Sequence, residues 1–156
     1  MAYERVQSYF DGLNMGEKVK VHATPCDTVP HAAANFGCEE ARIAKTISLR
    51  NEEDALLIVT AGDTRIDNKK FRAEFGFKAR MLAPDEVLHM TGHAIGGVCP
   101  FAVNEGVTVY LDESLKKFVT VFPACGSSNS AIELTMEELE RYSLYKEWVD
   151  VCKLKE

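Results

Sequence analysis

Two consecutive stretches constrain the fold of this chain more than any other feature. From Arg42 to Arg50 the side chains alternate strictly, with Arg42, Ala44, Thr46, Ser48 and Arg50 on one face and Ile43, Lys45, Ile47 and Leu49 on the other. That is the period of a half-buried strand. Ala55 to Ala61 then runs apolar except for Thr60, which is the pattern of a strand covered on both faces.

Helical signals surround these strands. Val6, Phe10 and Leu13 fall on one stripe of a helix from Tyr3 to Leu13, and a short strand follows from Val19 to His22. Thr28 caps a helix that carries Val29, Ala32, Ala33 and Phe36 and stops at Gly37. Asp67 to Phe75 and Pro84 to His89 read as helices, the second with proline at its start and acids in its first turn. Val107 to Leu111 and Phe118 to Phe122 alternate as strands around a short turn or helix from Asp112 to Lys116. Ala131 to Leu134 is a brief strand, Thr135 with Glu138 forms a capping box, and Lys146 to Val151 is a final strand. Strands and helices mix without a regular βαβ rhythm. The expected class is therefore α+β with a mixed, strongly curved or closed sheet.

At 156 residues, without repeat, low-complexity tract or linker, residues 1–156 are expected to form a single domain. A domain of this size buries about 68–70% of its unfolded surface and needs no disulfide or structural metal. No window reaches about 18 apolar residues, and the first residues carry acid and polar groups where a leader would be basic and then apolar. A cytoplasmic protein with no membrane partner is expected. Five cysteines without a CxxC pair indicate reduced thiols, not a disulfide framework or a zinc ribbon.

Four places carry candidate chemistry. Lys45 lies on the apolar face of its strand; either its stem packs there while the ammonium escapes at the sheet edge, or it points into a pocket as a fixed positive charge for a developing anion. The segment from Thr91 to Phe101 (TGHAIGGVCPF) holds three glycines and a proline, so backbone groups there can approach a ligand closely. It lacks the spacing of a dinucleotide loop and the ending of a P-loop. Ala124 to Asn129 is a small-residue loop with hydroxyls and an amide at a strand end. His89, His93 and Cys99 allow a metal set or a Cys99/His93 pair, but no HExxH glutamate or orienting acid accompanies them.

The remaining feature is electrostatic. With 18 basic and 24 acidic residues the chain carries −6, which argues against a protein that grips nucleic acid mainly by neutralising phosphates. From Arg65 to Arg80, however, six basic residues face two acids, a local +4 against −10 for the remainder. This run is either a solvated helix face or a phosphate-guiding patch.

Taken together, these residues resemble the YbaK family of aminoacyl-tRNA deacylases, which includes the editing domain inserted in bacterial prolyl-tRNA synthetases. The matching pieces are Thr28-Val29 and the helix to Gly37, Ile43-Ala44-Lys45-Thr46, Ala61-Gly62-Asp63 followed by Lys69-Lys70, Gly92-His93 with Gly96-Gly97-Val98 and Pro100-Phe101, then Gly126 and Glu133-Leu134, in order over roughly residues 20 to 140. The resemblance implies a mixed, barrel-like six-stranded sheet flanked by helices. It implies hydrolysis of the ester of mischarged tRNA by a protein acting in trans, with no cofactor and no metal. Lys45 would be the electrostatic catalytic group, and the Gly97 carbonyl would orient water. Thr46, His93, Gly96, Pro100, Phe101, Gly126, Ser127, Ser128 and Asn129 would surround the substrate, and Lys69, Lys70 and Arg72 would meet the tRNA backbone. The implied partners are a transient aminoacyl-tRNA and, as a second candidate, an aminoacyl-tRNA synthetase. Ala124 and Ala131 stand where some branches carry serine and aspartate, so no cysteinyl-tRNA preference is carried over. The alternative is a non-catalytic module of the same fold that binds an aminoacyl, nucleotide or tRNA fragment in a regulatory role.

Overall fold

The stretches from Ile43 to Ala61 fold onto each other as one antiparallel hairpin, in register from Ala44 opposite Ala61 to Asn51 opposite Asp54, and the other elements assemble around it. The computed structural model describes residues 2–24 and 28–155. Along the chain the elements are α1 (Ala2–Asp11), β1 (Val19–Val21), α2 (Val29–Phe36), β2 (Ile43–Asn51), β3 (Asp54–Ala61), β4 (Thr64–Ile66), α3 (Asn68–Phe75) and α4 (Pro84–Thr91). They continue with β5 (Thr108–Asp112), β6 (Thr120–Pro123), β7 (Ser130–Ile132), β8 (Leu134–Thr135), α5 (Met136–Ser143), β9 (Glu147–Val149) and β10 (Cys152–Leu154).

Six strands form one mixed sheet in the order β8-β6-β2-β3-β5-β9. The β2–β3 and β6–β8 pairs are antiparallel, whereas β2–β6, β3–β5 and β5–β9 are parallel. The sheet curls into a half barrel, and β1 with β7 and β4 with β10 form two further antiparallel ribbons. The expected α+β class with a curved six-stranded sheet is what the chain adopts.

The period of two divides the hairpin between two cores. Ala44, Leu57, Val59 and Ala61 face Val6 and Phe10 of α1 together with Phe101. Leu49, Leu56 and Ile58 face the other way, against Phe71 of α3, with Ile47 and Phe75 beside them. Each fully buried Leu, Ile or Phe is worth roughly 1.5–3 kcal/mol of transfer free energy, and β3 places Leu56, Leu57, Ile58 and Val59 at 0% exposure. This run reads as continuous in the sequence because alternate residues serve opposite cores.

The helix signals act as their chemistry requires. The Thr28 hydroxyl accepts the N–H of His31, and Gly37 ends α2 at φ 65°. Asp67 accepts from the N–H groups of Lys69 and Lys70 at the start of α3. Thr135 and Glu138 close a reciprocal box on α5.

Three segments depart from expectation at the ends of the chain's logic. Ala131 to Leu134 is not one strand: Ile132 ends a strand paired with β1, and Leu134 begins another paired with β6. Lys146 to Val151 likewise divides, because Asp112 Oδ1 accepts the Val151 N–H at 2.9 Å and turns the chain, after which β10 pairs with β4. Strand β4 carries no periodic signal in its three residues and escapes a reading based on pattern.

Candidate active site

Strand β2 is paired from Ala44 to Asn51 on the β3 side but only at its ends on the other. Ile43 and Ala44 pair with β6, and at the far end Ser48 O accepts the N–H of Leu82 at 3.3 Å and Arg50 N–H donates to Arg80 O at 2.9 Å. Between these contacts, at residues 45–47, no described strand covers the edge. A cavity of about 300 Å³ opens there. Its walls come from α2 and its cap (Thr28, Val29, Ala32), β2 (Ile43 to Ser48), the segment before α4 and α4 itself (Met81, Leu82, Val87), the glycine loop (Ile95, Gly96, Val98), β6 and the residue after it (Phe122, Ala124), and β7 (Ser130, Ala131). Most of these side chains are apolar, so the cavity suits a small organic group better than a bare ion.

The two candidate loops meet. A Cβ on Gly97 would lie 2.7 Å from Ser127 N and 2.8 Å from Gly126 C, so glycine is required for the loops to touch. Gly126 sits at φ 88°, and a Cβ there would lie 2.8 Å from the Ala2 carbonyl at the start of α1. The Gly97 N–H donates to Ala94 O at 3.0 Å. The loop from Ser127 to Ser130 is knitted by its own groups: Ser127 Oγ donates to Asn129 Oδ1 at 2.9 Å and lies 2.6 Å from Ser130 Oγ, and Asn129 Nδ2 donates to His22 O at 2.9 Å. Ser128 is exposed and makes none of these bonds.

Lys45 lines the cavity, and its ammonium donates to the Thr64 carbonyl. Burial, then the nearby Lys155 cation, lowers its pKa from the ordinary lysine value to about 8. Thr46 lines the same wall, with a buried hydroxyl oxygen that has no partner. Ala124 and Ala131 face each other in an isolated bridge, both in the wall, so this part of the cavity carries methyl groups.

Of the expected site residues Lys45, Thr46 and Gly96 line the cavity, Gly97, Gly126, Ser127, Ser128 and Asn129 stand outside its lining, and three more lie in the interior. His93 is 0% exposed; its Nε2 donates to Phe101 O at 2.8 Å and stands 3.6 Å from Cys99 Sγ, while Nδ1 has no partner. Burial lowers the His93 pKa, and burial pushes the Cys99 thiol up to about 12, so this pair is neutral and holds the loop together. Phe101 belongs to the core, edge-on to Phe10 at 4.9 Å, and Pro100 is buried beside it. A rigid loop whose Gly96 reaches the cavity needs an anchor, and these residues supply it. Among the described residues no three His, Cys, Asp or Glu side chains converge on a point; Cys26 lies outside them.

Of the expected tRNA contacts, Lys69 and Arg72 are exposed on α3, whereas Lys70 is spoken for by Asp150 Oδ1 and Cys152 O, both at 3.0 Å. Pattern reading missed Met81, Ile95 and Ser130 in the wall. Met81 and Ile95 are 69% and 59% exposed, and nothing in their spacing distinguishes them from ordinary loop residues.

Known proteins share this architecture. Residues 23–142 match the family model of the aminoacyl-tRNA editing domain. The uncharacterized protein YwhH of Bacillus subtilis (strain 168) is 55% identical over 154 residues, covering 98% of each chain. The proline–tRNA ligase of Thermosipho melanesiensis is 24% identical over 136 residues, which span 86% of this chain and 24% of the ligase. Among solved structures, a candidate trans-editing enzyme for prolyl tRNA synthetase superposes with a TM-score of 0.87 at 30% identity, covering 97% of each chain. With most of its length matched by the family model, and with the same fold as such a structure, this chain belongs to the aminoacyl-tRNA editing domain family.

Proposed function

We propose that this protein is a single-domain aminoacyl-tRNA deacylase that acts in trans in the cytoplasm, hydrolysing the ester of a mischarged tRNA. The observation that carries this reading is the apolar cavity of about 300 Å³ at the uncovered edge of β2, lined by Lys45, by Gly96 of the glycine loop, and by Ala124 and Ser130 on either side of the second loop, which the first loop touches at Gly97. An aminoacyl ester is already activated, so an oriented water and one fixed positive charge suffice in principle. Gly97 O is a candidate to orient the water, and the backbone near Gly126 to close the wall. Lys45 would leave the Thr64 carbonyl by rotation of its four-carbon stem and place its ammonium against the developing oxyanion. Desolvation favours that exchange, since a half-buried ammonium gains more from an anion than from a carbonyl.

The test is a panel of alanyl-, cysteinyl-, seryl- and prolyl-tRNAs. At least one is expected to be hydrolysed faster than its uncatalysed decay, and Lys45→Ala is expected to abolish that activity with the fold intact. Failure on every member overturns the reading. Two observations favour a second: the methyl-lined wall at Ala124 and Ala131 and the occupied Lys45 ammonium also suit a module that binds without turnover. Saturable binding of an aminoacyl-adenosine analogue with no hydrolysis would select it.

A further inference from the structure

Strands β4 and β10 pair so that Arg65 lies directly opposite Lys153. Cross-strand partners project to one face, and like charges in that position destabilise a ribbon. Thr64 and Cys152 turn inward and are buried, whereas Arg65 and Lys153 are exposed. Two residues beyond Lys153, Lys155 donates its N–H to Asp63 O at 2.9 Å, and its ammonium faces that of Lys45. Lys69, in the first turn of α3, is exposed as well.

The nearby acids offset this group only in part. Asp67 faces Lys153, but its carboxylate is taken up in capping α3. Asp63 lies 3.5 Å from Lys117, and Asp150 lies 3.0 Å from Lys70. Arg65, Lys69, Lys153 and Lys155 therefore have no ion-pair partner within 4.0 Å among the described residues, on a chain that carries −6 overall. Cations gathered against the sign of the molecule repel one another until an anion arrives. They are strung along an exposed ribbon and do not close round a single small ion, which fits a chain of phosphates.

We infer that the β4–β10 ribbon, with Lys69, is the surface on which this protein holds the phosphate backbone of an RNA, Arg65 and Lys153 making the principal contacts. The choice of RNA rests on the deacylase reading, and the ribbon's position is its own claim. The ribbon also touches the cavity through Lys45, which lines the wall and whose ammonium rests on β4. A phosphate on Lys155 would remove the repulsion that Lys45 feels and help keep it charged when substrate is bound.

The experiment is a fluorescence anisotropy titration of uncharged tRNA over a range of KCl concentrations, using the full chain. The Arg65→Ser/Lys153→Ser double variant is expected to bind about tenfold more weakly, with the slope of log K against log salt reduced by roughly 1.5. Its melting temperature is expected to equal or exceed that of the parent, because an opposed pair of like charges has been removed. Lys146→Ser, an exposed lysine beside β9, is the control and should leave the slope unchanged. An unchanged affinity and slope in the double variant overturn the inference, as does an equal loss in the control. Turnover is not part of this measurement. A protein that hydrolyses no aminoacyl-tRNA but shows the slope loss keeps the ribbon and loses the deacylase reading; hydrolysis with an unchanged slope does the reverse.

Discussion

Replacing Gly97 by alanine tests the contact between the two loops that bound the cavity. Gly97 has no positive φ, so alanine brings no backbone strain, and its effect comes from the added methyl group alone. That methyl would meet Ser127 N at 2.7 Å and both Gly126 C and Ser127 Cα at 2.8 Å. These are backbone atoms, which cannot rotate away as a side-chain tip can. To restore an ordinary contact the loops must part by at least about 0.7 Å. Overpacking of this kind costs typically 1–3 kcal/mol, which for a chain of this size lowers the melting temperature by about 2–10 °C. A displacement near 1 Å at reacting groups costs about 10²-fold in rate. The expected result is therefore a modest loss of stability with a disproportionate loss of kcat/KM for deacylation. Gly37→Ala is the counterpart: φ is +65° there with nothing within 4 Å of the new methyl, so backbone strain lowers stability by roughly 1–2 kcal/mol with no effect on rate. A Gly97→Ala protein with the parent's melting temperature and kcat/KM would refute the loop contact and its catalytic reading.

Other expectations follow from the cavity's surroundings. Because burial and Lys155 lower the Lys45 pKa to about 8, deacylation is expected to fall as pH rises through that value, a limb that should disappear in any active Lys45→Arg variant; measured pH profiles decide it. The sign for stability is the reverse of an ion pair: the folded state disfavours the charged form, so Lys45→Met should stabilise the fold below pH 8, with the gain fading between pH 8 and the ordinary lysine value of 10.5. Ala124→Ser restores a hydroxyl to the wall and is expected to shift selectivity toward seryl- and cysteinyl-tRNA by about tenfold, read as a ratio of kcat/KM values. Cys99→Ala should retain activity within a few-fold while losing about 1 kcal/mol of stability, since a thiol whose pKa is pushed up to about 12 is a packing group; a loss beyond 10³-fold would restore it as a nucleophile.

The central hairpin was legible because its signal is carried by nine and eight residues in strands with two different, consistent periods. The helix ends were legible for a related reason: Thr28, Gly37, Asp67 and Thr135 each satisfy a backbone group within three or four residues of themselves. Long-range pairing has no such local mark. Strands β4 and β10 have three residues each and are joined across most of the chain, so neither one announces the other. The site divided along the same line. Lys45 stood out as a charge in an apolar period, and the glycines as a local density. That His93, Pro100 and Phe101 serve as the loop's anchor follows only from the core formed with α1, which spacing within one loop does not disclose.

Gly126 rests against the carbonyl of Ala2, so the loop between the wall residues Ala124 and Ser130 leans on the first turn of the first helix. The amino end of this fold is thus a structural footing for that loop and a poor place for engineering. A fusion partner, affinity tag or proteolytic nick that unwinds α1 near Ala2 would release Gly126, then the Gly97 loop that abuts it, and would silence the pocket from its far side while leaving the sheet standing.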